Sequence, residues 1–333
     1  MNTQSMKSTV ERNGALFAFL ILFIGSALWK PGIFLQPESI RNILNQNASI
    51  GILALGMTLV IVAGGIDLSV GSLMALAGVL GVQWMNQALG TNASDPKGIW
   101  VAAASCIAIG GIAGLINGLL VTSGKIAPFI VTLAGLVGFR SMAQAFADGG
   151  EVRAVGSTFA ALGQDGITIP ALPFWITTPL VIQWPVFIFF VMAAAVGFVL
   201  NRTPFGRYCI AVGANEQAAK YSAINTNRIK LWTYIIVGLC AGIASLCVSS
   251  RMNSVTSGQL GNNAELDAIA AVVIGGARMS GGYARITGTV FGVLMLGIIT
   301  NILTASDVSV YWQGFVKGVI ILLAVLIQRG RSD

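Results

Sequence analysis

The stretch VIVAGGIDLSVGSLMALAG (60–78) is apolar throughout except for one carboxylate, Asp67. A charged side chain at the centre of a bilayer costs about 2.5–3.5 kcal/mol even on the mildest insertion scale. Gly64 and Gly65 precede the acid, and glycines allow a helix to break and expose free backbone groups. We therefore predict a helix break here. Asp67 should lie just ahead of the next helix and accept from the N–H groups of residues 69–70.

Two hypotheses follow for this motif, which continues with Ser69 and Gly71. Either Asp67 caps a helix at a chain reversal, or the broken helix lines a translocation path with its free polar end. The two are compatible, and capping is the simpler. A proton relay is disfavoured because the chain has no His and no second acid lies near Asp67 in the sequence.

Composition indicates the fold class. The chain has 333 residues, of which 55% are hydrophobic and 9% charged, with a mean hydropathy of +0.82. A soluble domain carries about 25% charged residues. The apolar stretches lack the alternation of a transmembrane β-barrel, so we expect an all-α, polytopic transmembrane helical bundle with residues 1–333 in a single domain. The length rule places about ten spans, at 15–35, 48–64, 68–89, 99–121, 126–146, 184–201, 231–250, 265–277, 286–305 and 311–328, the eighth being short.

Basic residues predict the orientation, since Lys and Arg are retained on the cytoplasmic side. Residues 202–230 and both termini are rich in them and are therefore expected in the cytoplasm. The same threading puts residues 147–183 outside, as a periplasmic or re-entrant segment with Trp175 as an interfacial anchor. The basic residues are Arg202, Arg207, Lys220, Arg228 and Lys230 in the loop, Lys7 and Arg12 at the N-terminus, and Arg329 and Arg331 at the C-terminus.

Several kinds of chemistry are excluded or disfavoured. Without His there is no His-based triad or His metal site, and the four cysteines form no C-x-x-C pair and are expected to pack as small apolar residues. The stretch GLLVTSGKI (118–126) is one residue too long for a phosphate-binding loop, and Ile126 replaces its metal-binding hydroxyl. ATP hydrolysis by this chain is therefore not expected. The net charge of +7 reflects loops near a membrane, and no aromatic-interleaved basic patch indicates nucleic-acid binding.

An internal repeat is one interpretation of two stretches, GGIAGLINGLLV (110–121) and GTVFGVLMLGIITNIL (288–303). They share a G-x-x-x-G spacing followed by an Asn, and the predicted threading runs them in opposite directions, as in inverted-repeat transporters. The simpler interpretation, which we favour, is that small residues at this spacing let helices pack closely.

The stretch PFGRYCIAVGANEQAAKYSAIN (204–225) predicts a short cytoplasmic helix beginning near Asn215. Asn215 is a good N-cap, and Glu216 suits the positive end of a helix. Ala218 and Ala219 make one side small enough for another protein to approach the backbone. From the residues alone, a docking helix and an ordinary solvated loop helix are equally supported.

Four motifs occur in a fixed order from about residue 40 to the C-terminus: GMTLVIVAGGIDLSVGSLMALAG (56–78), APFIVTLAG (127–135), TPFGRYCIAVGANEQAA (203–219) and ELDAIAAVVIGG (265–276). Together they resemble the ribose, xylose, galactose and arabinose permeases of ABC importers, with branched-chain amino-acid permeases as more distant relatives. The resemblance implies a multi-pass protein of the bacterial inner membrane. It also implies a second permease copy, a homodimer in the simplest case, two ABC ATPase subunits below and a periplasmic sugar-binding protein above. ATP and Mg²⁺ would be bound by the ATPase, and no cofactor is expected in this chain.

Carried over residue by residue, the resemblance implies two sets of functional positions. The cytoplasmic loop would carry a coupling helix at 213–224 that contacts the ATPase through Gly213, Asn215, Glu216, Ala218 and Ala219. The translocation path and its broken-helix motif would involve Asp67, Ser69, Gly71, Glu265 and Asp267.

The expected function is import of a monosaccharide by alternating access, with no hydrolytic chemistry in the chain itself. A branched-chain amino-acid permease is the alternative within the class, and an ion-coupled secondary carrier is the alternative from another class. The chain departs from the family at Ser222-Ala223-Ile224 and in GGARMSGGYARITGT (275–289), where Arg278 and Arg285 are added to a cytoplasmic turn. These departures leave the subfamily open.

Two cations lie in or near apolar spans, and a buried cation there pairs with an acid or snorkels to the interface. For both Arg140 and Lys317, the candidate partners are Glu265 and Asp267. We favour pairing for Arg140 and snorkelling for Lys317.

Overall fold

The computed structural model describes residues 14–90, 92, 95–171 and 179–329. Lys7, Arg12, Trp175 and Arg331 lie outside these residues. The described residues form fourteen helices: α1 Gly14–Trp29, α2 Pro31–Phe34, α3 Pro37–Val62, α4 Val70–Leu89, α5 Lys97–Thr122, α6 Pro128–Phe146, α7 Ser157–Gln164, α8 Trp184–Arg202, α9 Pro204–Ala214, α10 Glu216–Tyr221, α11 Thr226–Met252, α12 Ala264–Ile274, α13 Ile286–Ala305 and α14 Val310–Arg329. Four short strands complete the set: β1 Glu151–Arg153, β2 Gly166–Ile169, β3 Leu180–Gln183 and β4 Ser254–Thr256.

The all-α membrane fold is confirmed. Each predicted span coincides with a helix, and six helices in the described part of the chain are long and apolar enough to cross a membrane: α3, α5, α6, α8, α11 and α13. The eighth predicted span is short, as expected, since α12 has only 11 residues. The number of spans and the side on which the termini lie remain predictions.

Helix α3 lies at the centre of the bundle, and 83% of its most apolar window is buried. It begins at Pro37, well before the predicted span at 48, with proline in the first turn where a missing N–H costs nothing. Its polar first turns lower the local hydropathy without interrupting the helix. In contrast, only 17% of the corresponding window of α6 is buried.

Glycines bring the helices of the core into backbone contact. A Cβ built on Gly110 or Gly114 of α5 would collide with the carbonyl oxygens of Gly238 and Tyr234 of α11. On the other motif, a Cβ on Gly292 of α13 would collide with the carbonyl oxygen of Ala271 in α12. Close packing is thus what both G-x-x-x-G motifs do, as the simpler interpretation predicted.

Residues 147–171 and 179–183 fold onto one end of the bundle. Strand β1 pairs antiparallel with β4, with Val152 opposite Val255, and β2 pairs antiparallel with β3. Because β1 follows α6 and β4 follows α11, the first ladder ties together the ends of these two helices.

Candidate functional site

The loop at 63–69 forms because α3 stops at a glycine. Gly64 has a φ of +83°, which an L side chain rarely adopts, and its N–H bonds back to Ile61 O at 2.9 Å. The N–H of Gly65 bonds to Val60 O at the same distance. The last carbonyls of α3 are therefore satisfied while the chain turns away, and the predicted helix break is confirmed.

Asp67 is buried in this loop, with 1% of its surface exposed. Its Oδ1 accepts from the Ser69 N–H at 2.8 Å and from the Ser69 hydroxyl at 2.6 Å. Ser69 is the N-cap residue of α4, so the predicted bond from residue 69 is present. The side-chain amide of Asn117 on α5 donates to Ser69 Oγ at 2.9 Å, which ties the loop to a second helix.

The structure joins the first predicted motif to the last. A Cβ on Gly71 would collide with Glu265 Oε2 and with Gly261 O, and a Cβ on Gly261 would collide with Gly71 O. Gly261 itself has a φ of +68°, so glycine is required there both for its conformation and for space. The beginnings of α4 and α12 therefore meet inside the bundle. Glu265 is buried at this meeting point.

Arg140 on α6 bonds differently from the prediction. Its Nη1 donates to Ser257 O at 3.0 Å and to Leu260 O at 2.7 Å, so its bonds go to backbone carbonyls and not to a carboxylate. Glu265 lies close enough to interact with it electrostatically. Arg140 thus holds the loop that precedes α12 against α6. A guanidinium with several donors suits this arrangement because the loop offers two carbonyls in different directions.

The favoured expectation that Lys317 snorkels was wrong, and one of its two candidate partners, Asp267, binds it instead. Its Nζ lies 3.2 Å from both carboxylate oxygens of Asp267, which pairs α14 with α12. Both side chains are largely buried, with exposed fractions of 23% and 21%. With an acid within reach, the ammonium group forms an ion pair inside the bundle rather than extending to the interface.

Breaking this pair should destabilise the protein. We expect Asp267→Leu to lower the free energy of unfolding by about 2–3 kcal/mol, somewhat less than for a fully buried pair. The double variant Asp267→Leu/Lys317→Met removes both charges and should recover most of that loss. The measurement is the unfolding midpoint of the purified chain in mild detergent. A double variant as unstable as the single one would show that the pair is not the cause.

The loop at 202–230 contains two helices rather than one. Asn215 separates α9 from α10 in an extended conformation, and its Oδ1 accepts from the Ala218 N–H at 2.9 Å. The predicted N-cap is therefore confirmed. The segment 213–224 accordingly includes the last residues of α9, the six-residue helix α10 and the turn that follows it.

Glu216 is bound within the chain. Its carboxylate lies 2.6 Å from Lys230 Nζ and 3.1 Å from Lys220 Nζ. Partial burial raises the pKa of Glu216, but hydrogen bonds from Lys230 and Lys220 outweigh it, and the net shift of the pKa is downward. Its ionised form, and with it the attachment of α10 to the start of α11, is retained until the pH falls through this lowered pKa.

The other residues predicted to contact an ATPase divide into two groups. Gly213 and Ala219 pack inside the chain, and a Cβ on Gly213 would collide with Val62 O. Asn215 and Ala218 are exposed. The exposed pair is thus free for a partner, whereas the packed pair fixes where the segment sits.

A junction of backbones connects this segment to the 63–69 loop. Gly282 donates its N–H to Val62 O at 2.9 Å, and Gly213 lies against the same carbonyl. The end of α3, the end of α9 and the turn between α12 and α13 therefore meet at one point. Gly282 has a φ of +77°, which places a glycine in this turn for conformational reasons.

Two interactions were not predicted from the sequence. Asn117 stood out only as part of a repeat, although a lone amide in an apolar helix is itself a signal of a buried hydrogen bond. The Lys317 and Asp267 pair joins residues 50 positions apart, and no local pattern connects them. Within the described residues, no group of side chains has the composition of a metal site.

Comparison with known proteins agrees with the motifs. A family model described as "Branched-chain amino acid transport system / permease component" matches residues 39–325. The ribose import permease protein of Bacillus subtilis (strain 168) is 39% identical over 97% of this chain and 94% of its own length. That of Escherichia coli (strain K12) is 37% identical, over 98% and 96%.

Relatives named for other sugars are also similar. The xylose transport system permease protein of Haemophilus influenzae is 33% identical over 94% of each chain. No solved structure matches the chain significantly. The family match covers most of the chain and includes all four motifs, and the chain therefore belongs to the branched-chain amino acid transport system permease component family.

Proposed function

We propose that this chain is the membrane-spanning permease subunit of an ATP-driven importer for a monosaccharide. The observation that carries the proposal is the near-full-length similarity to permeases named for ribose, xylose and arabinose. The paired charges inside the bundle agree with a neutral substrate, since Asp267 is neutralised by Lys317. The chain would act as a transporter subunit, with ATP and Mg²⁺ bound by a separate ATPase.

The assembly we propose has two copies of this chain, two ATPase subunits on the cytoplasmic side and a periplasmic sugar-binding protein on the other. It would reside in the bacterial inner membrane. The exposed side chains Asn215 and Ala218 would meet the ATPase. Gly213, Glu216 and Ala219 would set the position of the segment that presents them.

The backbone junction provides a route for coupling. Closure of the ATPase subunits would draw the two 213–224 segments together. Because Gly213 lies against Val62 O and Gly282 bonds to the same oxygen, movement of α9 would displace the end of α3 and the turn before α13 together. The end of α3 connects to α4 through the 63–69 loop. The turn before α13 connects back to the short helix α12.

The first test is isolation of the tagged chain from its native membranes in mild detergent. An ATP-binding subunit should co-purify in about equal amount. The complex in proteoliposomes, supplied with its binding protein, should take up ribose at least tenfold faster with ATP than without. Leucine uptake in place of sugar would favour the amino-acid alternative. Uptake that survives ATP depletion but stops when the ion gradient collapses would favour an ion-coupled carrier.

Asp67→Asn separates the charge of the motif from its capping geometry. The amide keeps an oxygen that accepts from the Ser69 N–H but loses the charge that strengthens both bonds. A loss of about 1 kcal/mol in fixing the loop corresponds to roughly a fivefold fall in ATP-driven uptake. Expression, measured by quantitative blotting, should stay near the wild-type level. Normal uptake by this variant would contradict this expectation and leave only a capping role for Asp67, or none.

A further inference from the structure

The loop before α12 reaches deep into the bundle. Two contacts measure its depth against the end of α6 at Phe146. Gln83 on α4 donates to Phe146 O, so these two residues lie at the same level. Gly71 lies 12 residues before Gln83, near the start of α4, which is about 18 Å away along the helix axis. Since Gly261 contacts Gly71, the loop reaches the same depth.

A second helix gives the same depth. Ser72 Oγ donates to Gly135 O on α6, and Gly135 lies 11 residues, or about 16 Å, from Phe146. The hydrocarbon core of a bilayer is about 30 Å thick. Gly261 and its neighbours are therefore near the middle of the membrane when α6 crosses it.

The residues that follow Gly261 are polar and exposed. Asn262 and Asn263 both have exposed side chains, at the depth just established. Ser141 and Gln144 on α6 are exposed as well. The loop lies against this part of α6 through the bonds from Arg140, and a Cβ on Gly258 would lie 3.6 Å from Gln144 Nε2. These four exposed, uncharged side chains, here called the polar face, lie between the end of α6 and mid-membrane.

Lipid is an unsuitable neighbour for such a face. An amide without a hydrogen-bond partner in an apolar environment costs roughly 2–7 kcal/mol, and non-helical backbone at membrane depth is tolerated only against protein or water. Another part of the surface at this depth is apolar, at Ile116 on α5, which is 48% exposed and adjacent to Asn117. The polar face is therefore distinct from the lipid-facing surface.

We propose that Ser141, Gln144, Asn262 and Asn263 line a water-filled path and bind the hydroxyl groups of a neutral sugar as it crosses. The inference rests on the proposed function for the identity of the solute and on a second copy of the chain for the opposite wall. Amides and a hydroxyl both donate and accept, which matches a polyol better than a charged solute. The nearby acids bring no free charge, because Asp267 pairs with Lys317 and Glu265 is buried close to Arg140. Asp67, Ser69 and Glu265, which the resemblance assigns to the path, are buried.

Cysteine labelling tests the path in the full-length chain in membrane vesicles. Its four natural cysteines are buried, so a membrane-impermeant cationic methanethiosulfonate should leave the wild-type chain unmodified. We expect Asn262→Cys and Asn263→Cys to react at least tenfold faster than Ile116→Cys, the control at equal depth. Ser141→Cys changes a single atom and so preserves the fold, and it should outpace Ile112→Cys, which is 58% exposed at a similar depth. Equal rates within these pairs would overturn the proposal.

Transport provides the second readout. Complete modification of Asn262→Cys should reduce ATP-driven ribose uptake at least tenfold, and modification of Ile116→Cys should leave uptake unchanged. Unchanged uptake after complete modification at both 262 and 263 would overturn the proposal. A wild-type complex that transports no monosaccharide would contradict the proposed function instead, whereas the labelling rates would still decide whether this face meets water.

Discussion

Gly110→Ala is expected to lower the free energy of unfolding by about 2–3 kcal/mol, although alanine is the better helix former. The new methyl group would collide with Gly238 O, and a backbone carbonyl in a packed helix has nowhere to move. Helices α5 and α11 would separate along the contact that Gly114 and Gly242 also form. The apparent melting temperature of the purified chain, followed by fluorescence-detected gel filtration, should fall by roughly 5 °C or more.

The adjacent glycine is a matched control. A Cβ on Gly111 would meet only the end of the flexible Leu239 side chain, at 3.0 Å. Gly111→Ala should therefore be neutral or gain up to about 1 kcal/mol from helix propensity. Equal losses for both variants would show that the backbone contact between α5 and α11 is not what limits stability.

Glu216→Arg is expected to reduce co-purification of the ATPase and ATP-driven uptake at least tenfold. The substitution replaces two attractions, to Lys220 and Lys230, with two repulsions at the same sites. Helix α10 has only six residues, so it depends on these contacts and on its cap for its position. Because the pKa of Glu216 is shifted downward, the wild-type residue is ionised at neutral pH, where the assay is made.

Charge reversal distinguishes positioning from direct contact. In Glu216→Arg/Lys230→Glu the closer of the two ion pairs is rebuilt with opposite polarity. We expect at least half of the ATPase association to return, since Glu216 faces Lys230 within the chain at 2.6 Å. A folded double variant that still fails to associate would indicate that the Glu216 carboxylate itself meets the ATPase.

Local sequence patterns predicted the features that depend on residues close together in the chain, namely helix positions and short-range hydrogen bonds. Helix positions follow from runs of hydropathy, and the bonds from Ser69 to Asp67 and from Ala218 to Asn215 span two and three residues. The start of α3 was misplaced because its first turns, PESIRNILNQN (37–47), are polar, yet a helix needs only backbone bonds and a proline start to extend beyond the apolar region.

Local sequence patterns could not predict contacts between segments that are far apart in the chain. Arg140 was expected to pair with a carboxylate, but the loop it contacts offers backbone carbonyl oxygens. A guanidinium donates to either kind of oxygen. The approach of Gly71 to Glu265 depends on how α4 and α12 cross. No propensity of either segment encodes that crossing, and the depth of Asn262 and Asn263 follows from it.

The meeting of α4 and α12 has a consequence for biosynthesis. The surface against which Gly71 packs is provided by Gly261 and Glu265, which are translated roughly 190 residues later. Before that, the bonds that hold the start of α4 run from Ser69 to Asp67 and, once α5 is made, from Asn117 to Ser69. The packing around the start of α4 is therefore completed only when the second half of the chain has been made.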